Sequence, residues 1–314
     1  MARGRKRTII SLTVGLSLLA VLVYKSGLGD FGQIIRTLKP GFWFVAFLLY
    51  LITQLISCYR WQLLLKAEKI EVPLRRLTII YFLGMFFNLF LPTTVGGDAA
   101  RGYAVYRASD KQKLALVSVL VDRFCGMGAL MIIGFVAMLL SYSSVAETGV
   151  VVPISFLMGI FLLSILLLAN TSILRAPLKL VFRGQVPNWA MKLVQVYEAF
   201  RVYAAHKEAM IKVGALSFLI QGLGIAVYYF LALALGLSIP LVYFFLFVPI
   251  ITAVSLIPIT FSGLGVREGM ALILFSRIGV SAPAAISISL SWWITVAVMA
   301  LLATPFWFRK GLLG

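Results

Sequence analysis

The fold class this sequence predicts is an all-α polytopic membrane protein: about six full transmembrane helices plus two opposed re-entrant helical hairpins related as an inverted repeat. Three observations predict it. The 314 residues are 62% hydrophobic, against roughly half in soluble domains, and the apolar runs lack the period-two alternation of a β-barrel. Basic residues cluster in alternate links between those runs. Two runs are broken by proline and glycine, and the two breaks resemble each other.

Crossing a hydrocarbon core of about 30 Å takes about 20 apolar residues. The candidate runs are 8–24, 41–63, 77–91, 114–140, 150–169, 213–236, 240–258, 264–277 and 284–308. The first follows Arg3, Arg5, Lys6 and Arg7 and has the look of a signal peptide without a small-x-small cleavage site. It is expected to remain as an uncleaved span with a cytoplasmic N-terminus. Run 41–63 then returns, placing Arg60, Lys66, Lys69, Arg75 and Arg76 inside.

Run 77–91 is short and ends at a proline. If it crossed, Arg101, Arg107, Lys111 and Lys113 would lie outside, the lysine- and arginine-free loop 141–149 inside, and the basic stretch 171–212 outside. Each placement violates the positive-inside rule. A re-entrant hairpin over 77–107, turning at Pro92–Gly97, restores the parity. The same reasoning makes 240–277 a second hairpin, entering from the outside, and leaves the C-terminus cytoplasmic. In this topology 22 of the 28 basic residues face the cytoplasm. Between 186 and 205, Trp189, Leu193, Val196, Tyr197, Phe200 and Ala204 recur at helical spacing among charged residues, which predicts an amphipathic helix on the cytosolic interface. No domain boundary is visible, so residues 1–314 read as a single transmembrane domain.

The net charge of +18 would suggest nucleic acid in a soluble protein. Here the membrane-sidedness of the loops explains it, and no basic-aromatic module remains to bind nucleic acid. Cys58 and Cys125 lie inside apolar runs and read as packing residues. The sole histidine, His206, is far from both in sequence. No metal or cofactor is expected.

The hairpin tips read PTTVGGDAAR (92–101) and PITFSGLGVR (258–267). Pro92 aligns with Pro258, Thr94 with Thr260, Gly97 with Gly263 and Arg101 with Arg267, while Gly96 aligns with Ser262. Proline interrupts the helical hydrogen-bond ladder and glycine permits the tight turn. Backbone broken at membrane depth survives only inside protein or beside a watery cavity. Inverted repeats with broken helices near the midplane are a transporter signature. The half-helices after Gly97 and Gly263 would aim their positive ends at that cavity, with Gly265 a further turn residue of the second tip.

Charges gather at the same places: Asp98 and Arg101 on one half-helix, Arg267 and Glu268 on the other, Asp122 and Arg123 in run 114–140. Each costs about 2.5–3.5 kcal/mol on insertion scales. Two roles fit them. Asp98 could cap its helix and pair with Arg101, with Asp122 pairing to Arg101 or Arg123. Alternatively Arg101 and Arg267, with Asp98, Glu268, Thr94 and Thr260, would hold a lipid headgroup, since the guanidinium fork matches phosphate. Asp122 and Arg123 read as a structural charge pair. No catalytic residue is expected. GGDAARG bears a superficial similarity to the core of membrane phosphatidyltransferases but lacks their further aspartates, and Phe261-Ser262-Gly263 has no intramembrane histidine to activate a serine.

Three stretches, LPTTVGGDAARGY, VDRFCGMGAL and PITFSGLGVREG, resemble the signature segments of the lysylphosphatidylglycerol synthase transmembrane, or flippase-like, family. The resemblance spans essentially the whole chain. It carries Gly96, Gly97, Asp98 and Arg101 onto the first motif, Asp122, Arg123 and Gly126 onto the second, and Gly263, Gly265, Arg267 and Glu268 onto the third. Thr93-Thr94 stand where many relatives have Pro-Gly or Pro-Ser. Membership implies a bacterial or archaeal plasma-membrane protein with two re-entrant helices that moves lipid between leaflets. The full-length synthases append a soluble aminoacyl-transfer domain. This chain stops at Gly314 and is expected to be a stand-alone membrane domain that makes no lysyl lipid.

The function expected is therefore a flippase or translocator for a polar-headed, anionic or zwitterionic, lipid. The alternatives are a non-transporting partner that presents lipid to a glycosyltransferase or other lipid-modifying enzyme, and an integral-membrane lipid-modifying enzyme. The partners expected are the lipid itself and either such an enzyme or a second copy of the chain.

Overall fold

The computed structural model describes residues 13, 16–17, 20–24, 36, 38–90, 95–107, 109–145, 148–169, 188–257, 260 and 263–302. Among them every regular element is helical. Five helices are long and apolar enough to cross a membrane: α1 (Pro40–Ala67), α4 (Gln112–Leu140), α5 (Val151–Ala169), α7 (Lys207–Ala234) and α10 (Ala282–Leu302). The chain is thus a multi-pass membrane protein. The expected span 8–24 falls largely outside the described residues.

Five further helices of at least eleven residues complete the bundle: α2 (Leu74–Phe90), α3 (Val95–Arg107), α6 (Asn188–Ala205), α8 (Leu241–Ser255) and α9 (Val266–Ser276).

Helices α1 and α7 form an antiparallel pair. α1 begins at Pro40, where a missing N–H costs nothing, and both α1 and α7 have 28 residues, about 42 Å at 1.5 Å per residue. Lys39 N–H donates to the Ala234 carbonyl at 2.7 Å, and Phe42 lies 6.4 Å from Phe230, ring to ring. Near the other end Arg60 meets Ser217. α5 leaves Val152, Phe156 and Leu166 more than 60% exposed, as expected of a helix solvated by acyl chains.

The shorter helices pair with one another. α2 has 17 residues and α3 has 13, about 25 and 20 Å long, so neither matches the ~30 Å hydrocarbon core. Gly97 packs on Gly84 and Asn88, while Val105 shares a cluster with Leu77, so the two run antiparallel. Leu65 at the end of α1 belongs to the same cluster, which puts both outer ends of the α2–α3 pair there. α8 and α9 have 15 and 11 residues. Gly263 abuts Ser255 and Phe275 stacks edge-on with Phe247 at 5.1 Å, so these too are antiparallel. Tyr243 of α8 and Arg277 just past α9 border one recess of about 890 Å³, beside Leu237 after α7. The α8–α9 pair therefore has its outer ends at the opposite end of the bundle from those of α2–α3.

The pairs meet across α1, α7 and α10. Phe82, Met85 and Leu89 from α2 pack with Ala46 and Tyr50 of α1, Val227 and Leu231 of α7, and Met299 and Ala300 of α10. A larger core joins α4, α5, α7, α8, α9 and α10 around Phe244, Phe247 and Phe275.

Two expectations need correction. Arg60 was assigned to a cytoplasmic loop, but α1 continues to Ala67 and Arg60 is only 5% exposed. The apolar Leu63-Leu64-Leu65 that follows it carries the helix onward. In α6 the buried positions include Ala199 and Tyr203 with Tyr197, whereas Ala204 is exposed. Tyr197 donates to the Leu167 and Leu168 carbonyls and Tyr203 to that of Leu114, which turns the helix face toward α4 and α5. Burial, reinforced by nearby Glu68, raises the Tyr203 phenol above its usual range and keeps it a donor.

Candidate functional site

α3 starts with Val95-Gly96-Gly97-Asp98, and its close approach to α2 depends on Gly97. A Cβ there would fall 1.9 Å from the Gly84 carbonyl oxygen, so only glycine lets the backbones touch. Gly97 N–H donates to Asn88 Oδ1 at 2.8 Å. That bond satisfies one of the donors a helix start leaves open.

One turn further, Arg101 is 4% exposed. Its Nη2 donates to Asp122 Oδ2 at 3.0 Å. Its Nε lies 3.0 Å from Asp98 Oδ1, an ion pair by distance but off the N–H direction, so Nε makes no hydrogen bond; nor does Nη1. The guanidinium carbon sits 4.8 Å from the Tyr81 ring centroid and 5.1 Å from that of Trp61, a cation–π cradle.

Asp122, on the third turn of α4 and 1% exposed, divides its oxygens between two arginines. Oδ1 accepts from Arg60 Nε at 2.8 Å, and Oδ2 from Arg101. Arg60 Nη1 also donates to Ser217 Oγ at 2.9 Å. Asp98 is completed by Arg123 Nε at 2.6 Å. Asp98, Arg101 and Asp122 thus come together, and Arg123 joins through Asp98. Arg60, which sequence reasoning missed, ties the network to α1. Its signal was present: Trp61 and Leu63-Leu64-Leu65 follow it. Gly126, from the second motif, leaves room for Arg60 and Gln221, whose side chain donates to the Gly126 carbonyl at 3.0 Å.

The second pair of short helices holds its charges differently. Gly263 and Gly265 adopt φ +75° and +81°, the left-handed region natural to glycine, and Gly265 caps α9. Glu268 is fully buried. Its Oε2 accepts from Gly265 N–H at 2.5 Å and its Oε1 from Ser289 Oγ at 2.8 Å. Arg267, half-buried, makes no ion pair or hydrogen bond among the described residues. Ser289, the partner of its neighbour Glu268, lies one turn of α10 from Trp292. Trp292 stacks on Tyr228 at 4.4 Å and meets Tyr50 edge-on at 5.3 Å. Thr260 is 2% exposed and its hydroxyl has no partner among the described residues. Pro92, Thr94 and Pro258 lie outside the described residues.

Arg101 and Arg267 occupy different levels. Tyr50 meets Trp292, one turn from the Glu268 partner Ser289, and ten residues of α1 separate it from Arg60, the partner of Asp122, which is about 15 Å along the helix. The bundle interior therefore carries cations at two depths.

A model of the lysylphosphatidylglycerol synthase TM region matches residues 8–303. A UPF0104 membrane protein of Pyrococcus horikoshii is 24% identical over 311 residues, covering 90% of this chain and 92% of its own length. One from Methanothermobacter thermautotrophicus is 25% identical over 321 residues, covering 95% and 94%. Another, from Methanocaldococcus jannaschii, is 27% identical over 120 residues. The chain belongs to the lysylphosphatidylglycerol synthase transmembrane-region family.

Proposed function

We propose that this family member is a lipid translocator rather than an enzyme, moving a polar-headed lipid between leaflets of a plasma membrane. The observation that carries the reading is the placement of arginines at two depths in an apolar bundle, where a charge is costly unless it serves function or is paired. A headgroup entering beside α2–α3 would meet Arg123 and Arg101, and about 15 Å further on it would meet Arg267, while its acyl chains remain in lipid.

The topology proposed with it has α2–α3 re-entering from the cytoplasm and α8–α9 from outside, as an inverted repeat, with both termini cytoplasmic. The opposed outer ends of the two pairs and their short lengths support this arrangement. Cysteines introduced at Ser143 and Gln112 test it: the first should react with an impermeant maleimide from outside the cell and the second should not.

Transport is tested in proteoliposomes containing fluorescent phosphatidylglycerol in both leaflets, with dithionite added outside. Protein-dependent bleaching beyond the outer-leaflet half is the expected result. Bleaching that stops at half, with lipid binding retained, is the behaviour of a protein that only presents lipid to an enzyme, and it would refute translocation.

A further inference from the structure

Two apolar recesses on the bundle differ in one respect. The larger, about 570 Å³, lies among α4, α7 and α8 around Val136, Phe218 and Phe245, and no charged side chain lines it. The smaller, about 250 Å³, lies among α4, α5, α6 and α7, and Arg201 of α6 stands at its edge, exposed. The larger is an ordinary groove for acyl chains, whereas the smaller adds a charge to apolar walls.

The walls of the smaller recess are held in place. Phe124 lies 5.4 Å from Phe161 and 5.6 Å, edge-on, from Phe200, ring to ring. Tyr203 fastens α6 to the Leu114 carbonyl of α4. Tyr197 takes up the Leu167 and Leu168 carbonyls, polar groups that the end of α5 would otherwise leave open beside the recess. The side chains that remain, Phe124, Cys125, Ile165 and Met210 among them, offer little to a water, which needs about two to four polar partners. A flexible apolar chain fits there instead. Arg201 makes no ion pair among the described residues, and Glu198, one turn earlier on α6, does not pair with it. No acidic side chain lines the recess. A basic side chain at a membrane surface attracts anionic headgroups, so charge and walls together are complementary to an anionic lipid.

We infer that the recess among α4, α5, α6 and α7 seats one acyl chain of an anionic phospholipid, with the phosphate on Arg201. This lipid is a resident one. It fills the gap between α6 and the two spans α4 and α5, and so braces α6 against them. The seat does not depend on translocation, and its residues belong neither to the ion-pair network of Arg101 nor to α9.

The test uses the purified full chain in detergent micelles with phosphatidylglycerol that carries a photoreactive diazirine in one acyl chain. Crosslinks mapped by mass spectrometry are expected at Phe124, Cys125, Ile165 or Met210. Unlabelled phosphatidylglycerol should displace the probe about fivefold more effectively than phosphatidylcholine, the worth of one basic side chain at an anionic surface. Arg201→Gln should abolish that preference and Arg201→Lys should keep it, both with an unchanged melting temperature in lipid-free micelles, because the side chain is exposed. Ile165→Trp, which narrows the recess from its exposed wall, should suppress the crosslinks at Cys125. Equal displacement by phosphatidylcholine, or a preference that survives Arg201→Gln, overturns the inference. Crosslinks spread evenly along the exposed face of α5, Phe156 and Leu166 included, mark ordinary solvation by acyl chains and overturn it as well. Recess residues that react in the monomer but are masked in a dimer resolved by size-exclusion chromatography give the recess to a second copy of the chain, and the inference falls.

Discussion

Arg101, near the tip of α2–α3, faces two carboxylates and two aromatic rings, whereas Arg267, near the tip of α8–α9, makes no ion pair among the described residues. The two sit at equivalent positions of PTTVGGDAAR and PITFSGLGVR, yet their surroundings differ in kind. The cause is where the acid falls. Asp98 precedes its arginine by three residues, the spacing at which helix side chains meet. At the matching place in the second tip stands Leu264, and the acid has moved to Glu268, three residues after the cap, where it turns back onto the Gly265 amide. A repeated motif thus supplies one arginine tied into ion pairs and one that makes none among the described residues.

The contrast can be broken most forcefully at Asp122. Asp122→Ala strands Arg60 and Arg101 in the interior, and removing one partner of a buried pair costs about 3–5 kcal/mol. Loss of most folded protein on size-exclusion chromatography, or a large fall in melting temperature, is expected. Gly97→Ala comes next, because its methyl group would collide with the Gly84 carbonyl. Overpacking against rigid backbone costs about 3 kcal/mol, and a melting temperature near wild type would mean the pair is looser than described. Glu268→Ala removes the acceptor of two buried donors, for about 1–3 kcal/mol, visible as a smaller shift in the same assay. The smallest stability effect should belong to Arg267→Gln, within about 0.5 kcal/mol, accompanied by loss of scrambling. Arg101→Gln should show the opposite balance, a lower melting temperature from two severed ion pairs. Equal destabilisation by the two arginine variants would erase the distinction between the tips.

How much was legible differs by residue. The runs that became α1, α4, α5, α7 and α10 were evident, because length and apolarity suffice to mark a span, and the shorter α2, α3, α8 and α9 stood out by their flanking Pro and Gly. The cluster of Asp98, Arg101, Asp122 and Arg123 was visible as a set of expensive charges, though not its pairing: Asp122 bonds Arg60 and Arg101, and Arg123 turns to Asp98. Arg60 was read as a loop cation because a run of basic residues follows it and helix ends are poorly marked in sequence.

By itself, then, the sequence determined that this chain is helical and membrane-embedded, and that arginines stand in short helices flanked by proline and glycine. Those properties follow from local composition, which hydrocarbon and backbone geometry read residue by residue. Only the tertiary structure decided which charges neutralise one another. Pairing depends on which helix faces bring Arg60, Arg101 and Asp122 within 3.0 Å, across sequence separations of 62 and 21 residues. The same packing left Arg267 without a carboxylate partner among the described residues.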